Sequence, residues 1–177
     1  FENNYEHLFG SRLFALEGDV TDPQSLEQLA PLPIDTIINS AANVSPFSKG
    51  DAIYNVNTPG VLHLIDIAKR KTAQLVQLST HSIAGFSVDN SPPRDIRLDE
   101  TMLFFGQNME NQYVSSKFLA ERAVLEAALD GLNVKIMRMG NLMARNRDGE
   151  FQINSQANSF LGRLRAYQAV GCFPYSA

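Results

Sequence analysis

Residues 74–82 read QLVQLSTHS, an apolar run that ends in three hydroxyl-bearing side chains and a histidine. A short apolar run of this kind is typical of a buried strand, here predicted over Gln74–Leu78. Helical patterns lie on both sides of it, at Val61–Lys71 and at Asn111–Leu129, with apolar residues recurring every three or four positions. Strands that alternate with helices of ten or more residues indicate parallel βαβ units. The sequence therefore predicts an α/β fold with a doubly wound parallel sheet.

The other predicted elements extend this alternation along the chain. They are strands at Arg12–Glu17, Thr36–Ser40 and Val134–Met137, and helices from Pro23 to about Ala30 and at Ser155–Val170, with loops at Ser87–Asp99 and Gly140–Asn154. Polar or small residues follow each strand, at Asp19, 39–42, 79–82 and 140–141. Because ligands bind at the carboxyl ends of parallel strands, we expect a site at that edge of the sheet.

Composition narrows the classes of function. The 177 residues are 44% hydrophobic and 19% charged, which is ordinary for one globular domain. A net charge of −4 without a basic stripe disfavours nucleic acid, and no apolar run approaches the ~20 residues of a membrane helix. The single cysteine, Cys172, favours a reducing, cytoplasmic setting, and no Cys/His/Asp/Glu cluster has metal-ligand spacing.

Tyr113 and Lys117 begin the longest predicted helix, in the stretch YVSSK. A spacing of four places both side chains on one helix face. A nearby ammonium favours phenolate, so we expect Lys117 to lower the pKa of Tyr113, which could then exchange a proton with a carbonyl or alcohol. The same spacing also arises by chance. The hydroxyl groups of Ser79 and Thr80 could bind a substrate oxygen or merely cap the following turn.

Weaker signals allow two interpretations each. Asp19 could accept a hydrogen bond from an adenine amino group or only form a turn. Ala41 and Ala42 could let a flat ligand approach the backbone or only permit a tight turn. Asn57 could cap the following helix or tie helix to strand near the site. We interpret His63 as a packing residue and His81 as a structural or solvated histidine.

Six segments, in this order, resemble the extended short-chain dehydrogenase/reductase superfamily. They are GDVTDP (18–23), NSAA (39–42), NVNTPG (55–60), LSTHS (78–82), YVSSK (113–117) and RMGNLM (138–143). The last third, with DGEFQIN (148–154) and NSFLGRLRAYQAVG (158–171), is similar to the male-sterility type of NAD-binding domain found in thioester reductases of non-ribosomal peptide synthetases. Fatty acyl-CoA and carboxylic acid reductases are related to these.

The resemblance implies a Rossmann-like fold and a set of site residues. Thr80, Tyr113 and Lys117 would be catalytic. The residues that would bind the cofactor, NADPH or alternatively NADH, are Asp19, Val20, Ala41, Ala42, Ser79, Lys117, Gly140, Asn141 and Leu142. Such enzymes reduce an acyl or peptidyl thioester on a phosphopantetheinyl carrier protein to an aldehyde or alcohol.

The resemblance also predicts an incomplete domain. The family begins with a strand, a glycine-rich G-x-x-G-x-x-G turn and a helix that binds pyrophosphate, and this sequence has none of them. We therefore expect residues 1–177 to be a partial Rossmann domain without its first βαβ unit, with the substrate-binding lobe starting at about residues 145–177. The isolated chain is expected to be inactive, to bind dinucleotide weakly, and to self-associate through unpaired strand edges.

Two alternatives remain open at this stage. The same superfamily contains sugar-nucleotide epimerases and dehydratases, which the stretch after residue 147 fits less well. A Rossmann-like module that has lost its chemistry is the other alternative. The intact Thr80, Tyr113 and Lys117 argue against that reading for a complete protein.

Overall fold

The computed structural model describes residues 5–44, 52–87, 98–109, 111–152 and 154–173. The chain divides into two compact units, Phe1–Arg138 and Met139–Ala177. The strands are β1 (Thr36–Asn39), β2 (Gln74–Thr80), β3 (Phe86–Ser87), β4 (Gln107–Asn108) and β5 (Val134–Met139). The α-helices are α1 (Pro23–Leu26), α2 (Ala52–Asn57), α3 (Pro59–Lys71), α4 (Gln112–Leu129) and α5 (Ser159–Val170). Short 3-10 helices lie at Glu6–Leu8, Glu27–Leu29, His81–Ala84 and Ser155–Ala157.

The main sheet has the strand order β1-β2-β5. Strands β1 and β2 are parallel, in a register that runs from Thr36 beside Gln74 to Asn39 beside Gln77. The connection between them contains α2 and α3, and α4 lies between β2 and β5 in the chain. The predicted α/β fold with a parallel sheet is therefore confirmed.

The core of the first unit lies where α3 and α4 pack against β2. Its buried apolar residues include Val61, Leu64, Ile65 and Ala68 from α3, Leu75 from β2, and Ala120, Val124 and Ala127 from α4. Full burial of an aliphatic side chain contributes about 1.5–3 kcal/mol. This packing fixes the start of α4 beside the carboxyl end of β2.

The helix ends follow from local sequence. The Asn111 side chain accepts hydrogen bonds from the backbone N–H groups of Tyr113 (2.9 Å) and Val114 (3.2 Å), so that α4 begins immediately before the Tyr-Lys pair. Asp22 caps α1 in the same way through Gln24 N (3.0 Å). Gly171 ends α5 with a positive φ of 70°, as its sequence position predicts.

The predicted strand at Arg12–Glu17 is wrong. Leu13 makes one isolated bridge with Phe9, and the rest of the segment has no strand pairing. Phe14 is 71% exposed, and Ile38 on β1 is 65% exposed. Strand β1 is the last strand at this side of the sheet, and Arg12–Glu17 does not join the sheet beside it. An apolar run alone does not make a strand without a neighbour for its backbone groups.

A short antiparallel strand pair, which the sequence did not indicate, follows the end of β2. Strands β3 and β4 are antiparallel, with Phe86 beside Asn108 and Ser87 beside Gln107. Gly85 precedes β3 with a φ of 62°, and a Cβ there would lie 2.7 Å from the Asn108 carbonyl oxygen. Only glycine fits both the dihedral angle and the close approach. The pairing joins the segment after Thr80 to the segment before α4.

Candidate functional site

The three predicted catalytic side chains lie at the carboxyl end of β2. Thr80 is the last residue of β2, and Tyr113 and Lys117 lie one turn apart at the start of α4. The Thr80 hydroxyl accepts a hydrogen bond from Ser82 N at 3.1 Å and lies close enough to the Tyr113 phenol to influence its pKa. The Lys117 ammonium donates to the Leu78 carbonyl oxygen at 3.1 Å. The structure thus brings together three residues that are up to 37 positions apart in the sequence.

Burial sets the protonation of this cluster. It raises the pKa of the Tyr113 phenol, against a smaller lowering effect of the Thr80 hydroxyl. Burial also lowers the pKa of Lys117, and the Glu121 carboxylate acts in the opposite direction. The expectation that Lys117 lowers the pKa of Tyr113 is therefore wrong in this structure. Desolvation dominates, and the ammonium binds a backbone carbonyl, so the phenol keeps its proton near neutral pH.

A buried polar network lies behind Lys117. The Asn39 amide donates to Gln77 Oε1 at 2.8 Å, and the Gln77 amide donates to the Leu78 carbonyl at 2.9 Å. The backbone N–H of Ala41 donates to Asn39 Oδ1 at 3.1 Å. The end of β1 is thereby connected to the carbonyl that holds Lys117. Gln77 was missed by the sequence reasoning, although a polar residue amid the apolar run of a predicted strand is the signal that could have found it.

Asn57 ties two helices and a loop together. Its Oδ1 accepts from Asn43 N at 2.8 Å, and its Nδ2 donates to Asn43 O (3.1 Å) and to Ser116 Oγ (3.0 Å). Helix α3 has Thr58 as its N-cap residue, without a side-chain capping bond. Asn57 therefore does not cap α3. It connects α2 to the segment after β1 and to α4.

Asp19 and Val20 lie in a segment that is fastened to α3. Asp19 Oδ1 accepts from both the N–H and the hydroxyl of Thr21 at 2.8 Å, and these bonds lower the pKa of its carboxyl group. The Val20 carbonyl is 2.8 Å from His63 Nδ1. A Cβ on Gly60 would lie 2.9 Å from the Val20 side chain. His63 thus anchors this segment, and Asp19 is an exposed turn residue whose predicted contact with adenine remains a prediction.

The remaining predicted cofactor residues occupy two places. Ala41 is exposed and Ala42 half-buried, immediately after β1. Gly140, Asn141 and Leu142 are exposed residues of the second unit, immediately after β5. Their predicted cofactor contacts remain predictions.

The surroundings of Ser79 and Lys117 indicate whether the predicted cofactor site suits a polar ligand. Ser79 is 7% exposed, and its hydroxyl has no hydrogen-bond partner within the described residues. A buried polar group without a partner costs about 1–3 kcal/mol. Lys117 has further N–H donors beyond the one that binds Leu78. An unpartnered hydroxyl and a buried ammonium with spare donors fit a ligand rich in hydroxyl and amide groups, such as a nicotinamide riboside.

The described residues contain neither a membrane-spanning helix nor a metal-binding cluster. No helix there is both long and apolar enough to cross a bilayer. No group of three or more His, Cys, Asp or Glu side chains there could hold a metal ion.

Known proteins resemble this chain over most of its length. The family model described as male sterility protein matches residues 1–176. A thiolation-reductase di-domain from an archaeal non-ribosomal peptide synthetase is 43% identical, with a TM-score of 0.86 over 97% of this chain and 46% of its own. The reductase domain of the aureusimine biosynthetic cluster is 31% identical, with a TM-score of 0.69 over 81% of this chain and 37% of its own.

A further relative is also a reductase by name. The glycine betaine reductase of Emericella nidulans is 28% identical over 127 residues, which are 72% of this chain and 10% of the relative. The chain thus spans less than half the length of each of these three relatives. With the family model matching nearly every residue, the chain belongs to the male sterility family of NAD-binding domains, within the extended short-chain dehydrogenase/reductase superfamily.

Proposed function

We propose that the chain forms part of an NADPH-dependent reductase that releases an acyl or peptidyl thioester from a carrier protein as an aldehyde or alcohol. The observation that carries the proposal is the meeting of Thr80, Tyr113 and Lys117 at the carboxyl end of β2. The 43% identity to a thiolation-reductase di-domain supports the thioester and the carrier protein as substrate and partner.

The hydroxyl groups of Thr80 and Tyr113 bind the carbonyl oxygen of the thioester in this proposal. Both donate hydrogen bonds to it and stabilise the negative charge that develops on the oxygen. The bound nicotinamide supplies the hydride. Because burial raises the pKa of Tyr113, its phenol is protonated and can deliver a proton to that oxygen. The resulting hemithioacetal then loses the pantetheine thiol and gives the aldehyde.

Lys117 and Ser79 bind and orient in this scheme, and neither reacts. The ammonium of Lys117 keeps its bond to Leu78 O and offers its other donors to ribose hydroxyls. Ser79 provides the buried hydroxyl that lacks a partner. We further propose that Asp19 and Val20 flank adenine, that Ala41 and Ala42 line the ribose-phosphate path, and that Gly140, Asn141 and Leu142 contact nicotinamide.

The domain assignment is also a proposal. Residues 1–177 would contribute a partial Rossmann domain, with the substrate-binding lobe beginning within about 145–177. The sugar-nucleotide and non-catalytic alternatives have no specific observation in their favour. The two solved structures compared above, which both exceed 25% identity, are a thiolation-reductase di-domain and a reductase domain.

The test is reduction of a carrier-bound acyl thioester by the complete protein with NADPH. Tyr113→Phe is expected to lower kcat at least about 100-fold, because the variant cannot donate the proton, while the affinity for NADPH stays near that of the wild type. Tyr5→Phe, at an exposed position outside the site, is the matched control. Near-normal reduction by Tyr113→Phe would refute the assignment, and activity on a sugar nucleotide alone would replace the proposed substrate class.

A further inference from the structure

Gln77 is a buried amide that the mechanism above does not use. It lies on β2 three residues before Thr80 and is 1% exposed, next to the buried apolar residues Leu75 and Val76. An apolar side chain would fill such a place without the cost of taking an amide out of water. Because buried polar groups are hydrogen-bonded in folded proteins, the partners of Gln77 indicate what it holds in place.

Both polar atoms of the Gln77 amide are hydrogen-bonded. Its Oε1 accepts from Asn39 Nδ2 at 2.8 Å, and its Nε2 donates to the Leu78 carbonyl oxygen at 2.9 Å. Asn39 Oδ1 in turn accepts from the backbone N–H of Ala41 at 3.1 Å. Asn39 is also buried, at 3% exposure. Asn39 and Gln77 thus form a buried amide relay that runs from the segment after β1 to the Leu78 carbonyl.

The Leu78 carbonyl oxygen also binds the ammonium of Lys117, whose Nζ lies 3.1 Å away. A carbonyl oxygen has two lone pairs. Gln77 and Lys117 therefore occupy both of them, and the ammonium is restricted to the lone pair that the Gln77 amide leaves open. Without that amide, the ammonium could approach the oxygen from a wider range of directions, and its remaining N–H donors would be less well oriented.

We propose that Gln77 is a positioning residue, which acts through the Leu78 carbonyl to fix the Lys117 ammonium for a bound dinucleotide. Asn39 orients the Gln77 amide, because its N–H donor can pair only with the amide oxygen. The relay also holds the Ala41 backbone, so that two residues proposed above to contact the cofactor are fixed by one set of bonds. The inference rests on the proposed function, because it assigns the relay to the same site.

Three variants separate positioning from folding. Gln77→Met keeps the length of the side chain and removes both amide bonds. Gln77→Met with Asn39→Leu replaces both partners by apolar groups, a change that can be nearly neutral for stability, and so remains testable if the single variant unfolds. Gln74→Met is the matched control, because it removes an amide bond to Asn133 (3.1 Å) at the opposite end of the same strand.

The first measurement follows the Lys117 ammonium by NMR in the complete, cofactor-free protein, with Lys117→Arg to assign the signal. The order parameter of the ammonium reports how tightly it is held. Gln77→Met and the double variant are expected to lower this order parameter, because the ammonium is then no longer restricted to one lone pair of the Leu78 oxygen. Gln74→Met is expected to leave it at the wild-type value.

The second measurement uses the complete protein with NADPH and a carrier-bound thioester. Gln77→Met and the double variant are expected to lower kcat about 10- to 100-fold, since a small misplacement near the reacting atoms costs up to that much. They are also expected to raise the Kd for NADPH several-fold, because Lys117 is proposed to bind its ribose. Gln74→Met should keep the wild-type values of both.

Wild-type ammonium order in a folded variant that lacks the Gln77 amide would overturn the inference. Lost order with the wild-type kcat and Kd would show a purely structural contact and would overturn it as well, as would equal losses in Gln74→Met, which would be a general effect on β2. Each of these results leaves the proposed function standing. That function fails instead if the wild-type complete protein does not reduce the thioester, and the ammonium order and the Kd for NADPH would still decide the inference.

Discussion

Two arginine–carboxylate clusters in this chain make similar contacts in opposite surroundings. Arg138 and Glu121 lie 2.8 Å apart with side chains 9% and 0% exposed. In the second unit, Arg145 lies 2.5 Å from Asp148 and 2.7 Å from Glu150, with Arg145 39% and Asp148 33% exposed. The exposed cluster has the shorter bonds and an additional carboxylate. Loss of one member of the exposed cluster is nevertheless expected to cost little stability, because water can replace the lost partner.

The difference shows that burial decides how much the loss of one member of an ion pair lowers the stability of the fold. When one member of a buried pair is removed, the other remains charged without a partner. An exposed pair has no such penalty. The predictions below test this contrast, from the largest expected effect to the smallest.

The largest effect is expected from the buried pair. Arg138→Met leaves the Glu121 carboxylate buried and unpaired and removes the bonds to Asp99 O and Met102 O. We expect a loss of about 3–5 kcal/mol in the free energy of unfolding, measured by urea denaturation. Adding Glu121→Leu should recover most of that loss. If Arg138→Met alone were as stable as the wild type, the contrast between the clusters would fail.

An intermediate effect is expected for a buried neutral network. Asn57→Ala removes the buried side-chain bonds to Asn43 and Ser116 that hold α2. We expect a loss of about 1–3 kcal/mol in urea unfolding. Asn55→Ala, at an exposed position on the same helix, is the control. Equal stabilities of the two variants would mean that α2 is not held by Asn57.

The smallest effect on stability is expected at the exposed cluster, where the readout is titration. Hydrogen bonds from Arg145 lower the pKa of Asp148 from 3.8 to about 2. A lowered pKa favours the folded state above the unfolded value, and this contribution disappears as the pH falls through about 2. NMR titration should give this midpoint, and Arg145→Ala should return it towards 3.8. A change in thermal midpoint as large as that of Arg138→Met would contradict the contrast.

Local signals predicted much of this molecule. The helices α3 and α4 and the strands β1, β2 and β5 follow from hydrophobic periodicity. The spacing of Tyr113 and Lys117 on one face is also local geometry. Even the meeting of these residues with Thr80 could be expected, because parallel strands present their carboxyl ends at one edge.

The order of the amino acids by itself determined where helices and strands can form and which chemical groups face that edge. The tertiary structure decided what these groups experience. It left Arg12–Glu17 outside the main sheet, raised the pKa of Tyr113 by burial, and placed Arg138 beside Glu121 across 17 residues of sequence. Strand pairing, desolvation and charge pairing depend on neighbours distant in the chain, so no local pattern specifies them.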